Sequence, residues 1–225
     1  MQGLVAKYPS IPFVVPFVAF LALLGLGPAL PISPRAEAIL RVALLTAIIW
    51  AVARPVVSLR MVRPLQTIGV GVGVFLLWIA PDQLIPGYRE SAIFQNGVTG
   101  EVESSMTVEM RNDPLILMLR FVRAAMIVPI VEELFWRGWL GRWLDNMDDF
   151  RKTPLGQFSR FAFWGTAVLF ALEHGPYWEV GLAAGVIYNW WMIKTKSLGD
   201  LIWCHAVTNA CLSAWVLWMG EWQYW

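Results

Sequence analysis

Val128-Pro129-Ile130-Val131-Glu132-Glu133-Leu134-Phe135-Trp136-Arg137 sets two adjacent carboxylates and a guanidinium inside a long apolar run. A charge at the centre of a bilayer costs about 3 kcal/mol on even the mildest scale. Such a group is kept with partners, with water, or for a task. The rest of the chain is equally apolar: of 225 residues, 58% are hydrophobic, 15% are charged and 14 are Trp, and the mean hydropathy is +0.57. A chain of this composition cannot cover its surface with water-compatible groups. It reads as an all-α polytopic membrane helix bundle.

Working outward from Glu132, apolar runs near 11–30, 37–53, 67–81, 115–140, 158–174, 180–193 and 198–218 predict about seven transmembrane helices, or eight with a re-entrant or interfacial helix. The sequence predicts a single integral membrane domain over 1–225, with accessory N-terminal helices in 1–81 and a core in 115–218. The first run lacks a short apolar region followed by a small-residue cleavage site, so it is expected to stay as an anchor. Arg54, Arg60 and Arg63 follow the second run, Arg137, Arg142, Arg151 and Lys152 the fourth, and Lys194 and Lys196 the sixth. The alternate loops carry Arg35 alone, then an acid-rich stretch with Asp82, Glu90, Glu101, Glu103, Glu109 and Asp113 against Arg89 and Arg111, then Glu179, and finally Glu221. The positive-inside rule then places the N-terminus with Lys7 in the cytoplasm and the C-terminus outside.

Several local features have expected structural roles. Asn96-Gly97, within the polar excursion 82–113, predicts a hairpin turn between short β-prone runs. Gly69-Val-Gly-Val-Gly73 and Gly181-Leu-Ala-Ala-Gly185 predict close helix approach rather than a nucleotide loop. Trp190-Trp191, Trp215 with Trp218, and Trp222 with Trp225 fit interfacial belts. Cys204 and Cys211, about 10 Å apart along one helix face, are beyond disulfide reach and read as packing residues. A net charge of +1 with scattered basic residues is not the footprint of a nucleic-acid binder.

The chemistry-bearing residues lie in the second half. Glu133 and Arg137 are at i and i+4, the favoured order for a helical ion pair, whereas Glu132 points about 100° away and is left free. Pro129, one turn earlier, removes a backbone donor and can open room beside Glu132. Phe170-Ala-Leu-Glu-His174 ends the fifth run before Gly175-Pro176, with Phe170 and His174 on one face. His205 and Asn209 are at i and i+4 in the last run. As structural glue, these groups would bond across helices. As chemistry, Glu with His in a partly dry cavity can take a proton from water and return it to a leaving amine, and His with Asn can donate to an oxyanion. Ser159 and Ser213 have no His partner by spacing and no nucleophile-elbow sequence is present. Two His and a Glu are three potential zinc ligands, yet there is no His-Glu-x-x-His and no soft ligand nearby, so no metal or other cofactor is expected.

Glu132-Glu133-x-x-x-Arg137, Phe170-x-x-x-His174 and His205-x-x-x-Asn209, in this order on successive helices, resemble the three motifs of the CAAX-protease and bacteriocin-processing family of glutamic intramembrane proteases. The length, the apolar character and a short helix between the last two motifs are also similar to bacterial CAAX-protease-related proteins that accompany exosortase sorting systems. The resemblance covers about 115–218. It implies that Glu132 and His174 activate water, that His205 and Asn209 form the oxyanion site, that Glu133 and Arg137 orient the helix, and that Phe170 packs beside the site. It implies a membrane-embedded or membrane-tethered polypeptide as substrate, no nucleic acid, and residence in a bacterial cytoplasmic membrane. It gives no prenylation requirement and no oligomeric state. Glu173 departs from the pattern by adding a charge next to His174, and the segment between the first two motifs is long. Three other readings stay open, a catalytically silent scaffold or immunity-type protein, a zinc metalloprotease and a proton-coupled transporter. The loop pattern sets His174 near the outer end of its helix and Glu132 in the inner half of a long one. Bringing them together requires a fourth helix that is tilted or bent and starts near Pro114.

Overall fold

Proline and short capping side chains open most of the long helices in the computed structural model, which describes residues 7–225. The first six residues of the expected domain lie outside the described residues. Helix α1 is Ile11–Leu26, with Pro12 in its first turn. Helix α2 is Pro34–Ala53, where Ser33 Oγ accepts the Ala36 N–H. Helix α3 is Pro64–Leu84. Helix α4 is Pro114–Asp145, capped by Asp113, which accepts from Leu115 and Ile116. Helix α5 is Arg160–Glu173, capped by Ser159, and α6 is Trp178–Thr195. Helix α7 is Leu198–Met219, opened by Ser197 and closed by Gly220 in the left-handed conformation. Each cap satisfies amide donors that the first helical turn leaves orphaned, and proline at the first position gives up an N–H that has no partner there anyway.

The expected apolar runs and the observed helices coincide to within a few residues. Among the described residues, four helices, α2, α3, α4 and α7, are long and apolar enough to cross a membrane. Helices α1 and α5, at 16 and 14 residues, are shorter than the roughly 20 residues a perpendicular span needs. The helices still run end to end. Phe13 meets Phe150 at 5.5 Å between ring centroids, Trp203 Nε1 donates to Leu59 O at 3.0 Å, and Gly156 lies against Lys196. These contacts gather the start of α1 and the connections 54–63, 146–159 and 196–197 at one, basic end. At the other end Ser105 N donates to Trp225 O at 3.1 Å, Arg35 pairs with Asp113, and Arg89 donates to Pro176 O at 2.7 Å. The acid-rich connections collect there.

The excursion 82–113 is ordered by ion pairs rather than by a β-hairpin. Among the described residues no strand forms, and a single antiparallel bridge joins Asn96 and Gly100. Asn96 Oδ1 accepts the Val98 and Thr99 N–H groups, so the turn closes on itself before flanking residues can pair. Arg89 holds the segment down, bridging Asp82 at 2.9 Å and Glu179 at 2.6 Å with its guanidinium 4.2 Å from the Tyr177 ring centroid. Burial works against the Arg89 charge, but Glu179 and Asp82 outweigh it and hold its pKa above the ordinary arginine value.

Close helix approach is decided by one glycine of the first expected group. A Cβ on Gly71 would stand 2.5 Å from Cys204 O on α7, whereas Gly69 and Gly73 face open space. Thr208 Oγ1 donates to the Gly71 carbonyl at 2.9 Å, tying α3 to α7. In the second group Gly181 lies against His174 and Gly185 against Ala167, as a small-residue face should. Helix α1 packs on α4 through Phe17 stacked on Phe135 at 4.0 Å. The Trp residues divide: Trp218 is 81% exposed, as a belt residue should be, whereas Trp191 is buried and donates to Thr67 Oγ1. Trp225 folds over an internal cavity instead of facing lipid.

Candidate active site

Helix α4 brings its carboxylates to the middle of the bundle through two π-helical stretches, Arg123–Ile127 and Leu134–Leu140, on either side of Pro129. In the first stretch Val128 N reaches back five residues to Arg123 O. The next acceptor in that pattern, Ala124 O, faces Pro129, which has no N–H. Asn209 Nδ2 takes this carbonyl at 2.9 Å. The irregular turn is therefore completed from α7, and its neighbour Val128 borders an opening beside Glu132. Because α4 starts at Pro114, Glu132 lies about 27 Å along it, deep enough to meet the end of α5.

Glu132, His174, His205 and Asn209 all line one cavity of about 180 Å³, with Phe170 and Trp78 on its wall. Glu132 is 5% exposed, and its Oε2 has no hydrogen-bond partner among the described residues. His174 Nδ1 is 2.7 Å from Phe170 O. A carbonyl only accepts, so Nδ1 carries the hydrogen and Nε2 keeps its lone pair. The imidazole also meets Trp78 edge-on at 5.2 Å and Phe170 at 4.5 Å between centroids, which fixes its plane.

Glu133 has the opposite environment. It is fully buried, accepts Arg137 Nη1 on both oxygens at 3.1 Å and accepts His205 Nδ1 at 2.9 Å. The expected ion pair with Arg137 thus has a second task, because it anchors His205 and leaves only Nε2 of that ring for the cavity. Arg137 is itself held by Asn189 Oδ1 at 2.8 Å and Gly185 O at 3.2 Å, with the Phe170 ring 4.8 Å from its guanidinium. Asn189 in turn donates to Phe163 O and Thr166.

Sequence reasoning missed Asn189, Tyr188 and Trp78. Asn189 had a signal, a carboxamide in the middle of an apolar helix, where a polar group must find a partner. Tyr188, which lines the cavity and donates to Thr208, and Trp78 had none, since aromatic residues in apolar helices are ordinary. Among the described residues, no three His, Cys, Asp or Glu side chains converge in a metal-binding arrangement.

Among the described residues, the helical bundle thus sets a glutamate oxygen without a hydrogen-bond partner, two histidines and a carboxamide around one cavity. Residues 114–211 match the family model described as Rce1-like, type II CAAX prenyl endopeptidase, and this stretch is similar to that family. The match runs from the start of α4 into α7 and contains every residue of the three motifs; α1 to α3 lie outside it. No curated protein and no solved structure matches the chain.

Proposed function

We propose that the chain is an intramembrane endopeptidase that hydrolyses a peptide bond in a membrane-associated or hydrophobic-tailed polypeptide with water activated by Glu132 and His174. The observation that carries this reading is the pairing, on one cavity, of a carboxylate without a donor and an imidazole whose Nδ1 is already engaged. A water between them gives one proton to Glu132 while its oxygen bonds to the substrate carbonyl carbon. The carbonyl π electrons move to oxygen, and the C–N bond then breaks as the stored proton passes to the leaving nitrogen. His174 Nε2 accepts a hydrogen bond from the same water and orients it.

The oxyanion falls to His205 and Asn209. Since Nδ1–H of His205 is spent on Glu133, Nε2 donates only when both ring nitrogens carry a hydrogen. Asn209 has one amide hydrogen left after Ala124. That same bond favours a second reading for this residue, as a brace for α4, and the two roles are separable by mutation. The substrate's tail and the exosortase-associated subgroup rest on resemblance alone, and no prenyl requirement is assigned.

The test is a proteoliposome reaction on candidate membrane polypeptides found by comparing C-terminal peptides of membranes with and without this gene, read by mass spectrometry of the released fragment. Cleavage is expected to survive exhaustive chelation and to vanish in Glu132→Gln. Full activity in Glu132→Gln, or activity lost to a chelator and restored by zinc, would overturn the mechanism.

A further inference from the structure

A second, larger cavity of about 350 Å³ opens between the end of α1, the first turns of α2 and α4, and the segment around Met106. Its wall carries three guanidiniums, Arg41, Arg120 and Arg123, and one carboxylate, Glu37. Glu37 is paired with Arg41, one turn along α2. Arg41 is only 9% exposed, yet its Nε has no hydrogen-bond partner. Arg120 donates to Ser105 Oγ at 2.7 Å and lies over the Trp225 ring; neither partner is an anion. Among the described residues Arg123 has no carboxylate partner, and the charges bearing on it are Arg41 and Glu37. Apart from Ser105 the remainder of the wall is apolar, and Leu24, Leu30 and Ile32 at its rim are exposed.

The placement makes this surplus unusual. All three arginines are inside helices, about 9–14 Å from the N-terminal prolines of α2 and α4 at the usual rise per residue, at the end whose loops are otherwise acid-rich. They cannot be topogenic loop charges, and uncompensated cations at that depth are costly. Three guanidiniums around a pocket with an apolar rim suit an anion that brings its own hydrocarbon: arginine pairs with phosphate oxygens through two parallel N–H bonds, and basic pockets between membrane helices suit anionic headgroups.

We propose that this cavity binds the phosphate headgroup of an anionic phospholipid, with its acyl chains leaving past Leu24 and Leu30 along α1. Arg120 then links it to the candidate active site, because Trp225, over which it lies, also lines the cavity of Glu132. This site rests on the membrane placement of the chain and not on its catalytic reading, so the two fail separately.

The experiment reconstitutes the full chain in vesicles of phosphatidylcholine alone or mixed with phosphatidylglycerol, then reads the thermal midpoint and, after detergent extraction, bound lipid by native mass spectrometry. A retained phosphatidylglycerol and a raised midpoint are expected. Both should be lost in Arg123→Gln, which breaks no ion pair, and in Ala38→Phe, which fills the cavity without changing its charge. Lys196→Gln, at the opposite end, should keep both. Equal midpoints in the two lipids with no adduct, or equal loss in Lys196→Gln, would refute the site. The same shift from inorganic phosphate in phosphatidylcholine vesicles would refute the lipid assignment.

Discussion

Adjacent residues in one helix have opposite duties here, and the difference is set by what surrounds each. Glu133 is enclosed by Arg137 and His205, while Glu132 faces the cavity. Truncating Arg137 leaves a buried carboxylate short of its counter-charge, so Arg137→Ala should lower stability by about 3–5 kcal/mol, read as a fall in thermal midpoint and membrane accumulation. Glu132→Gln should accumulate normally, because it removes no observed bond. Asn209 offers a sharper test. Asn209→Ala should cut cleavage about 10²–10³-fold if one oxyanion donor is lost, and should also destabilise the fold by about 1–3 kcal/mol by orphaning Ala124 O. Pro129→Ala restores an N–H in the turn that leaves that carbonyl open. In the double variant stability should recover and activity should not. Recovery of both would reduce Asn209 to a brace. The ion pair and the free carboxylate were legible from i, i+4 spacing alone. The bonds of His205 to Glu133 and of Asn209 to Ala124 were not, because spacing within a helix says nothing about which neighbouring helix supplies the partner.

At the level of elements, helix ends were legible and helix interiors were not. Pro34, Pro64 and Pro114 mark starts by chemistry that acts within one turn, whereas the π stretches of α4 depend on contacts from α1 and α7 and have no local code. Asp200 shows the same limit. An acid in the first turn of α7 reads as a solvated partner of the helix dipole, yet it is fully buried and accepts from Val62 N at 2.6 Å, Arg63 N at 2.8 Å and Thr67 Oγ1 at 2.7 Å. It holds the two residues that lead into α3 and a hydroxyl in the first turn of that helix, fixing where α3 begins against α7. Asp200→Ala should therefore cost more than an ordinary cap, about 2 kcal/mol or above, and hydrogen exchange should rise at the start of α3 rather than in α7. Asp113, by contrast, caps its own helix α4 while pairing with Arg35, which holds its carboxyl below the ordinary aspartate range. A depressed pKa gives stability that is complete above the unfolded value and is lost as pH falls through the folded one. Asp113→Asn should flatten the acid limb of a stability profile.

At the largest scale, the question is how the seven long helices among the described residues, four of them long and apolar enough to span, sit in a bilayer. Loop charge predicted two faces, and the contacts reproduce that division without reference to charge. The start of α1, 54–63, 146–159 and 196–197 meet at the basic end, and 82–113 meets the C-terminal residues at the other. The 14 residues of α5 cover only about 21 Å, so His174 ends well inside a 30 Å core, on the cavity that Glu132 also lines. A short α5 thus leaves His174 inside the bundle rather than at its outer end, and the bilayer must thin there or admit water from the acidic end. Cysteines placed singly at 99 and 103 should react with an impermeant maleimide added outside the cell, and cysteines at 152 and 196 only after permeabilisation, as the positive-inside rule requires. A cysteine at Leu172, exposed on the outer face of α5, should label from outside more slowly than 99 but faster than positions in the middle of α3. Labelling at 152 and 196 from outside would invert the orientation. No labelling at Leu172 beyond the α3 background would show that water does not reach the end of α5 along its lipid face, leaving the polar segment 82–113 as the route to Glu132.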